Sequence, residues 1–333
     1  MTPRERIIPV FIPHVGCPNL CSFCNQRTIA GKTQAPTPEN VTETIETALA
    51  FAGGVAEVAF YGGSFTCIAR ELQAAYLKVV APFLEKGLVS GIRISTRPDA
   101  VGEDVLDFLW GNGVKTIELG AQSMVDGVLL ANNRGHLSRD TREGAGRIKA
   151  RGFRLGLQMM TGLRGDTPAG AVETARDFVA LGPDFVRIYP TVVLPGTDLA
   201  NAYGRGEYLP QTLEEAVDLT AALYEIFSEA NIRVIRMGLH TDDTLGETVL
   251  AGPYHPAFGE LVYARRYRNR AEAAMMEQDL RGKRVCLVVA SGDISKMTGQ
   301  QKSNIKYLTR LTGAAEIRVA TRKMAEYEVC LCI

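Results

Sequence analysis

The segment IIPVFIPHVGCPNLCSFC, residues 7–24, joins an apolar run directly to three closely spaced cysteines. Residues 7–13 are apolar and rich in β-branched side chains, a pattern that predicts a buried β-strand. Cys17, Cys21 and Cys24 follow at once with the spacing C-x3-C-x2-C. Thiols grouped immediately after a strand predict a metal or redox centre at the carboxyl end of that strand.

Similar apolar runs recur over the first 240 residues, where they alternate with longer segments whose apolar residues have helical spacing. The five further runs predicted as strands cover residues 57–62, 91–96, 114–120, 153–159 and 184–190. Strands this apolar are typical of a parallel sheet covered by helices on both faces. We therefore predict an α/β fold, a partial (β/α)6 TIM-like barrel over residues 1–240, with one more strand at 232–238.

After residue 240 the β/α repeat stops and the sequence becomes rich in Gly, Pro and His. Residues 241–282 are predicted to hold connecting loops and a basic helix at 263–280. Residues 283–333 predict a small β-α-β-β unit. The partial barrel is thus expected to carry a small C-terminal α+β module.

Composition argues against several classes of protein. The 333 residues include 37 basic and 37 acidic side chains, so net charge attracts the chain neither to nucleic acid nor to anionic membranes. No apolar run approaches the roughly 20 residues that span a bilayer. Prolines interrupt the apolar start, so no signal peptide is predicted. An odd number of cysteines, 7, argues against a disulfide framework. We expect a cytoplasmic protein.

The cysteine spacing taken alone fits more than one kind of site. Three thiolates can hold a [4Fe–4S] cluster and leave one iron open to a small molecule, whereas four thiolates complete the cluster. Alternatively, His14 and the three cysteines can form a closed Cys3His zinc site. Buried and unreactive thiols are a third interpretation.

Polar residues that follow the other predicted strands favour the open cluster. In β/α barrels the reactive groups gather at the carboxyl ends of the strands. A structural zinc site has no need of polar side chains converging from five further strands. These side chains lie within residues 61–66, 95–99, 118–123, 158–162 and 189–191.

Together these motifs resemble the radical S-adenosylmethionine (SAM) superfamily. The cysteine loop, with Phe23 before its last cysteine, and Gly62-Gly63-Ser64 are similar to the cluster and GGE-type motifs of that superfamily. Further segments resemble the Elp3/MiaB/NifB-like branch, in particular the radical SAM portion of Elp3. They cover residues 96–99, 119–123, 133–136, 160–167, 187–199 and 234–240. No acetyltransferase-type segment is recognised after the barrel.

The resemblance implies a role for each motif. Cys17, Cys21 and Cys24 would hold three irons of a [4Fe–4S] cluster, and SAM would chelate the fourth. An electron from a flavodoxin- or ferredoxin-like donor would cleave SAM to methionine and a 5′-deoxyadenosyl radical for hydrogen abstraction. The residues implied in SAM binding are Phe23, Gly62, Gly63, Ser64, Ser95, Glu118, Gln122, Arg134 and Gln158.

Gly62 and Gly63 allow the backbone to approach the methionine amino group closely. Ser95 stands where relatives often carry a carboxylate that binds SAM, and Glu118 is expected to compensate for this departure.

Three hypotheses cover the function. The first is RNA modification, based on the Elp3-like motifs, the small module and the basic residues Arg265, Arg266, Arg268 and Arg270. The second is a coproporphyrinogen oxidase-like enzyme acting on a small metabolite. The third is a zinc-stabilised binding module without enzymatic activity.

The remaining cysteines and histidines carry weaker signals. Cys67 is expected to be a buried small side chain near the site. Cys330 and Cys332 alternate along a predicted strand with one residue between them, so both face the same side; with Cys286, a second cluster is a minor alternative. His240 and His255 flank a predicted loop and are expected to be structural.

Overall fold

The computed structural model describes residues 6–13, 17–25, 34–51, 55–239 and 245–332. The chain divides into two compact units: residues 1–212 with 225–254, and residues 213–224 with 255–333. His14 and His240 lie outside the described residues, so the roles suggested for them stay predictions.

The first unit is built on a sheet of seven parallel strands that follow one another in chain order. The strands are β1 (Arg6–Ile12), β2 (Ala56–Gly62), β3 (Val89–Thr96), β4 (Val114–Gln122), β5 (Arg154–Thr161), β6 (Phe185–Pro190) and β7 (Arg233–Met237). The sheet curls into a half-barrel, which confirms the predicted partial TIM-like barrel. Strand β7, predicted as an addition to the six β/α units, joins the same sheet.

Helices follow the strands, as expected of β/α units. They are α1 (Pro38–Phe51), α2 (Arg70–Glu85), α3 (Glu103–Gly111), α4 (Asp126–Ala131), α5 (Ser138–Ala150), α6 (Pro168–Leu181), α7 (Asp198–Gly204), α8 (Leu213–Glu229) and α9 (Leu245–Thr248). Helix α6 shows how the sequence sets its limits. Thr167 accepts a hydrogen bond from the Gly170 backbone at 3.1 Å, Pro168 occupies the first turn, and Gly182 ends the helix at φ +59°.

The apolar strand residues form the core of the first unit. Because helices cover the sheet, the strands read as continuous apolar runs rather than as an alternating pattern. Core side chains with no more than 1% exposure include Ile8, Val58, Ile94, Ile117, Leu157 and Ile188. Burying each such side chain contributes about 1.5–3 kcal/mol to folding. Buried strand positions are therefore occupied by apolar residues, and this is why the strands are visible in the sequence.

The second unit contains the predicted small module. Its elements after α8 are α10 (Phe258–Met276), β8 (Arg284–Ala290), α11 (Ile294–Thr298), α12 (Ser303–Thr312), β9 (Glu316–Arg322) and β10 (Cys330–Cys332). The strand order is β10-β8-β9, with β10 antiparallel and β9 parallel to β8. Met275, Leu287 and Leu308 pack in its apolar core.

Helix α10 does not present the basic face that the sequence suggested. Arg265 is 5% exposed and pairs with acidic side chains of α8. Arg266 is 1% exposed and lies between two tyrosine rings, 3.8 and 3.9 Å from their centroids. Arg268 and Arg270 also lie against tyrosine rings. Arg265 and Arg266 are thus buried, and Arg268 and Arg270 are only partly exposed, so these four residues do not form the open basic face that RNA binding would use.

No helix within the described part of the chain is long and apolar enough to cross a membrane.

Candidate active site

A pocket opens at the carboxyl ends of strands β1 to β5, where the parallel strands deliver their terminal residues to one edge. It brings together every predicted site residue except Glu118. The predicted residues that line it are Cys17, Cys21, Phe23, Cys24, Gly62, Gly63, Ser64, Ser95, Gln122, Arg134 and Gln158. The sequence therefore identified the wall of this pocket, while SAM contacts at these positions stay predictions.

Hydrogen bonds at Ser22 hold the cysteine loop in place. The Ser22 backbone N–H donates to the Asn132 carbonyl at 3.1 Å, and its hydroxyl donates to the Asn132 side-chain oxygen at 2.8 Å. The Leu199 N–H donates to the Ser22 carbonyl at 2.8 Å. Ser22 and Asn132 could not be recognised from the sequence, because neither residue type indicates a hydrogen bond to a partner 110 positions away along the chain.

Arg134 links the cysteine loop to strand β4. One of its terminal nitrogens donates to Cys21 Sγ at 3.0 Å, and the other donates to the Gly120 carbonyl at 2.5 Å. Its guanidinium also lies 6.0 Å from the centroid of the Phe23 ring. Arg134 therefore ties the loop that carries Cys21 to the end of strand β4.

Ser64 joins the ends of β2 and β3. Its hydroxyl lies 3.0 Å from the Thr96 hydroxyl and accepts from the Arg97 N–H at 3.1 Å. Thr66 lies 2.5 Å from the same Thr96 oxygen. Thr96, which lies in the polar segment 95–99 expected at the site but was not predicted to bind SAM, also lines the pocket and joins these two hydroxyl groups.

Glu118 lies fully buried among side chains of the neighbouring strands. Its carboxylate accepts from Arg93 at 2.9 Å, from Arg187 at 2.8 and 2.9 Å, and from Gln158 at 2.7 Å. Tyr61 donates to it at 3.3 Å. With its lone pairs engaged, Glu118 is not placed to replace a carboxylate at Ser95. Its observed role is to orient Gln158, a residue on the pocket wall.

The buried network around Glu118 contains equal numbers of acidic and basic side chains, each next to one of opposite charge. Arg93 also pairs with Glu57 at 2.5 Å, so two glutamates and two arginines alternate inside the half-barrel. Burial alone raises the pKa of Glu118, but the charges and hydrogen bonds of Arg187 and Arg93 outweigh burial and lower it. Glu118 is therefore ionised at neutral pH.

Burial raises the pKa of the Cys17 thiol, although a hydrogen bond from the Ser64 backbone and the charge of Arg134 act in the opposite direction. A cationic metal centre favours the thiolate strongly enough to overcome such burial. Within the described residues, no three His, Cys, Asp or Glu side chains converge on a point that one metal ion would occupy.

Two buried polar atoms beside the pocket lack a hydrogen-bond partner among the described residues: Gln122 Oε1 and Arg134 Nε. Gln122 also adopts φ +67°, a left-handed conformation that is uncommon outside glycine. Unsatisfied buried polar atoms cost about 1–3 kcal/mol each, so their presence at a pocket indicates a ligand with polar groups. The donor set, three thiols beside an amide oxygen and a guanidinium, fits an iron–sulfur cluster with SAM.

The backbone conformation at position 62 requires a glycine. Gly62 adopts φ +108°, and a Cβ at this position would lie 2.7 Å from the Ile12 carbonyl oxygen. That oxygen also accepts from the Gly63 N–H at 2.8 Å. We expect Gly62→Ala to lower the free energy of unfolding by about 1–3 kcal/mol through backbone strain.

The Gly62 prediction can be checked by urea unfolding followed through Trp110, the only tryptophan of the chain. Gly146→Ala is the control, since Gly146 is an exposed position in helix α5 with no neighbour within 4 Å of a new Cβ. That variant should gain about 0.5–1 kcal/mol. Equal stability of Gly62→Ala and the parent chain would contradict the assignment.

His136 gives the fold a defined pH dependence. Burial, with the charges of Arg134 and Arg97, lowers its pKa from 6.5 to about 4. Between these values the unfolded chain binds a proton that the folded chain does not, so His136 makes the fold less stable as pH falls. Its Nε2 lies 3.3 Å from the Ala121 carbonyl, so this nitrogen carries the hydrogen of the neutral ring.

We expect His136→Gln to flatten the dependence of unfolding free energy on pH between about pH 4 and 6.5, by up to about 1.4 kcal/mol per pH unit. Glutamine supplies an N–H for Ala121 but does not titrate. Asp166, whose pKa burial raises to about 6, has the opposite dependence and is unchanged in both proteins. Parallel pH profiles for parent and variant in urea unfolding would exclude this role of His136.

Two family models match the chain. The model described as the radical SAM superfamily matches residues 11–178, and the model described as the radical SAM C-terminal domain matches residues 183–268.

Curated relatives share part of the chain. The tRNA uridine(34) acetyltransferase of Methanocaldococcus jannaschii is 29% identical over 173 residues, which are 51% of this chain and 31% of that protein. An uncharacterized protein of the same organism is 31% identical over 211 residues, 62% of either chain. Elongator complex protein 3 of Danio rerio is 34% identical over 136 residues, 40% of this chain and 25% of that protein. The chain thus spans about half or less of the length of the named relatives it matches.

Solved structures share the fold. Elp3 of the archaeon Methanocaldococcus infernus, without its N-terminal residues 1–46, superposes with a TM-score of 0.65 at 22% identity. The match covers 80% of this chain and 63% of that one. Coproporphyrinogen III oxidase of Escherichia coli, described as a radical SAM enzyme, gives a TM-score of 0.50 at 20% identity, over 68% of this chain and 54% of its own.

Proposed function

Because the chain belongs to the radical SAM superfamily and is an enzyme of that superfamily, we propose that Cys17, Cys21 and Cys24 hold a [4Fe–4S] cluster and that the adjoining pocket binds SAM. The observation that carries the proposal is the pocket itself, which gathers the three thiols, Gly62, and the unsatisfied Gln122 oxygen at one edge of the sheet. When bound, the cluster supplies the electron that cleaves SAM to methionine and a 5′-deoxyadenosyl radical.

The side chains of this protein hold the reactants. The Ser22 hydrogen bonds fix the cysteine loop, and Arg134 donates to Cys21 Sγ. The Gln158 amide nitrogen donates to Glu118 at 2.7 Å and to Ser95 at 3.4 Å, which leaves the amide oxygen to accept from a ligand. Gln158 and Gln122 thus offer two acceptors for the amino or hydroxyl groups of SAM.

We expect Gln122→Gly to weaken SAM binding roughly tenfold, because one hydrogen bond is worth about 0.5–1.5 kcal/mol. Stability should be unchanged or slightly higher, since glycine adopts the positive φ without strain. Asn133→Gly is the matched control: it has φ +52° but is exposed and does not line the pocket. Calorimetric titration of SAM into the anaerobic holoprotein separates the two. Equal affinity for both variants would remove Gln122 from the binding site.

We propose RNA as the substrate that loses the hydrogen atom. Support comes from the relatives, several of which are named as tRNA uridine(34) acetyltransferases, and from the Elp3-like motifs over residues 96–240. The arginines of helix α10, which pack against tyrosine rings or pair with acidic side chains, give no support.

The test of this function is anaerobic incubation of the reconstituted enzyme with SAM, a reductant and tRNA. We expect 5′-deoxyadenosine and methionine in equal amounts, with deuterium transferred from deuterated RNA into 5′-deoxyadenosine. If SAM is cleaved but no RNA tested transfers deuterium to 5′-deoxyadenosine, the substrate is a small metabolite and not RNA. Absence of SAM cleavage would overturn the proposal as a whole.

Three further parts of the proposal concern the protein's surroundings. A flavodoxin- or ferredoxin-like protein delivers the electron at the cysteine loop, where Leu20 is 80% exposed. The enzyme works in the cytoplasm. Residues 1–240 form its catalytic domain, 241–282 connect, and 283–333 form an accessory module.

A further inference from the structure

The sheet of the second unit carries three thiols on its outer face. Cys286 lies on β8, and Cys330 and Cys332 lie on β10. Their neighbours in the chain face the other way: Leu287 is buried in the apolar core, and Leu331 packs against the same core. Because successive strand residues point to opposite faces, the three cysteines share the face turned away from the core.

The register places two of these cysteines directly opposite each other. Cys332 pairs with Cys286 in the antiparallel ladder, whereas Cys330 pairs with Val288. Directly opposed Cα atoms in antiparallel strands are about 4.5 or 5.5 Å apart. A disulfide needs about 4.4–6.8 Å. Cys286 and Cys332 are therefore positioned to bond without moving the backbone.

Cys330 is held differently from the other two thiols. Arg322 of β9 donates a hydrogen bond to Cys330 Sγ at 2.8 Å. The Cα atoms of Cys330 and Cys332, two positions apart on one strand, are about 6.6–6.8 Å from each other. This distance is at the upper limit for a disulfide, so Cys286 is the better partner for Cys332. All three are free thiols and none is buried, so small reagents can reach them.

We propose that Cys286 and Cys332 are a reversible thiol–disulfide site that responds to a low-molecular-weight disulfide such as oxidised glutathione. The thiolate of one cysteine attacks the reagent, forms a mixed disulfide and releases one glutathione thiolate. The thiolate of the second cysteine then attacks the protein sulfur of the mixed disulfide and releases the other. The protein thiols give up two electrons, oxidised glutathione accepts them, and the two thiol protons end on two molecules of glutathione.

The bond has a structural consequence within this unit. Strand β10 spans three residues, and among the described residues it pairs along one edge alone, with β8. A disulfide between Cys286 and Cys332 ties this edge strand to the central strand and closes the long segment between them, which restricts the unfolded chain. While the disulfide is present, the short strand therefore stays attached to the sheet, and reduction releases it.

The test uses the full chain, reduced and then incubated anaerobically with oxidised glutathione, followed by alkylation, trypsin digestion and mass spectrometry. Trypsin releases Cys286 in residues 285–296 and both other thiols in residues 324–333. We expect these two peptides to be linked, the link to be reversed by dithiothreitol, lost in Cys332→Ser and Cys286→Ser, and retained in Cys330→Ser.

Three results would overturn the proposal. The two peptides remain unlinked and fully alkylated; they carry only glutathione adducts; or the link persists in Cys332→Ser and disappears in Cys330→Ser. Peptide mapping of the parent chain shows whether Cys286 is linked to residues 324–333, and the single variants then decide between Cys330 and Cys332. The outcome is independent of Cys17, Cys21 and Cys24, which lie in other peptides.

Discussion

Replacing Cys17, Cys21 or Cys24 by alanine is expected to abolish iron binding and SAM cleavage together. A cluster with one open iron needs all three thiolates, and the free energy of metal binding depends on every ligand. The parent protein, reconstituted with iron and sulfide, should be brown and form 5′-deoxyadenosine from SAM. Each variant should be nearly colourless and inactive after the same treatment.

Cys67→Ala is the matched control for these variants, because Cys67 follows the Gly62-Gly63-Ser64 loop but does not line the pocket. It should keep its iron and at least about half of its activity, since shortening one partly buried thiol is a small change in packing. Full iron content in Cys21→Ala, or loss of iron in Cys67→Ala alone, would assign the ligands differently. Analysis of iron and sulfide content, together with the SAM-cleavage assay, shows which cysteines bind the iron.

The second large effect is expected on stability, from Glu118→Ala. This substitution leaves Arg93 and Arg187 buried beside each other without the carboxylate that now joins them. Removing one partner of a buried ion pair costs about 3–5 kcal/mol, because the remaining charge stays desolvated. Loss of the Gln158 contact should also weaken SAM binding.

Urea unfolding followed by Trp110 fluorescence measures the effect of Glu118→Ala in the same unit of the chain. Glu207→Ala serves as control: Glu207 pairs with Arg205 at 2.7 Å, but its side chain is 44% exposed. Such an exposed pair contributes little to stability, because solvent screens the two charges, so this variant should unfold at nearly the same urea concentration as the parent. A loss of less than about 1 kcal/mol in Glu118→Ala would show that the network is not the structural element described above.

The half-barrel could be predicted because its strands leave a local signal. Runs such as 7–13 and 57–62 are apolar enough to identify buried strands by themselves. The cysteine loop follows the first of these runs, and Gly62 ends the second. The carboxyl ends of parallel strands meet at one edge, so the residues that end the strands could be assigned to one pocket.

The charged network could not be predicted, although its members are visible. Glu57, Arg93, Glu118 and Arg187 are charged residues inside otherwise apolar runs, and their sign alternates along the chain. A charged residue inside a buried strand signals a partner, but which one depends on strand register, and register is a property of the folded sheet. Glu118 was therefore assigned to SAM rather than to its two arginines.

The environment of the arginines of helix α10 could not be predicted from the sequence either. A run such as RRYRNR at 265–270 is typical of a solvated or nucleic-acid-binding face. In the structure the tyrosines of the second unit cover Arg266, and acidic side chains of α8 neutralise Arg265. Aromatic residues distant in sequence decide the environment of these charges, and composition alone does not show the pairing.

The central claim is that three cysteines after β1 hold an open iron–sulfur cluster, and metal analysis tests it most directly. The chain is produced and purified without oxygen, and its iron, acid-labile sulfide and zinc are quantified together with its absorption spectrum. The account predicts a brown protein with about four irons and four sulfides per chain, as a [4Fe–4S] centre requires. A colourless protein with about one zinc per chain and no iron, the composition of a closed Cys3His site, would contradict it.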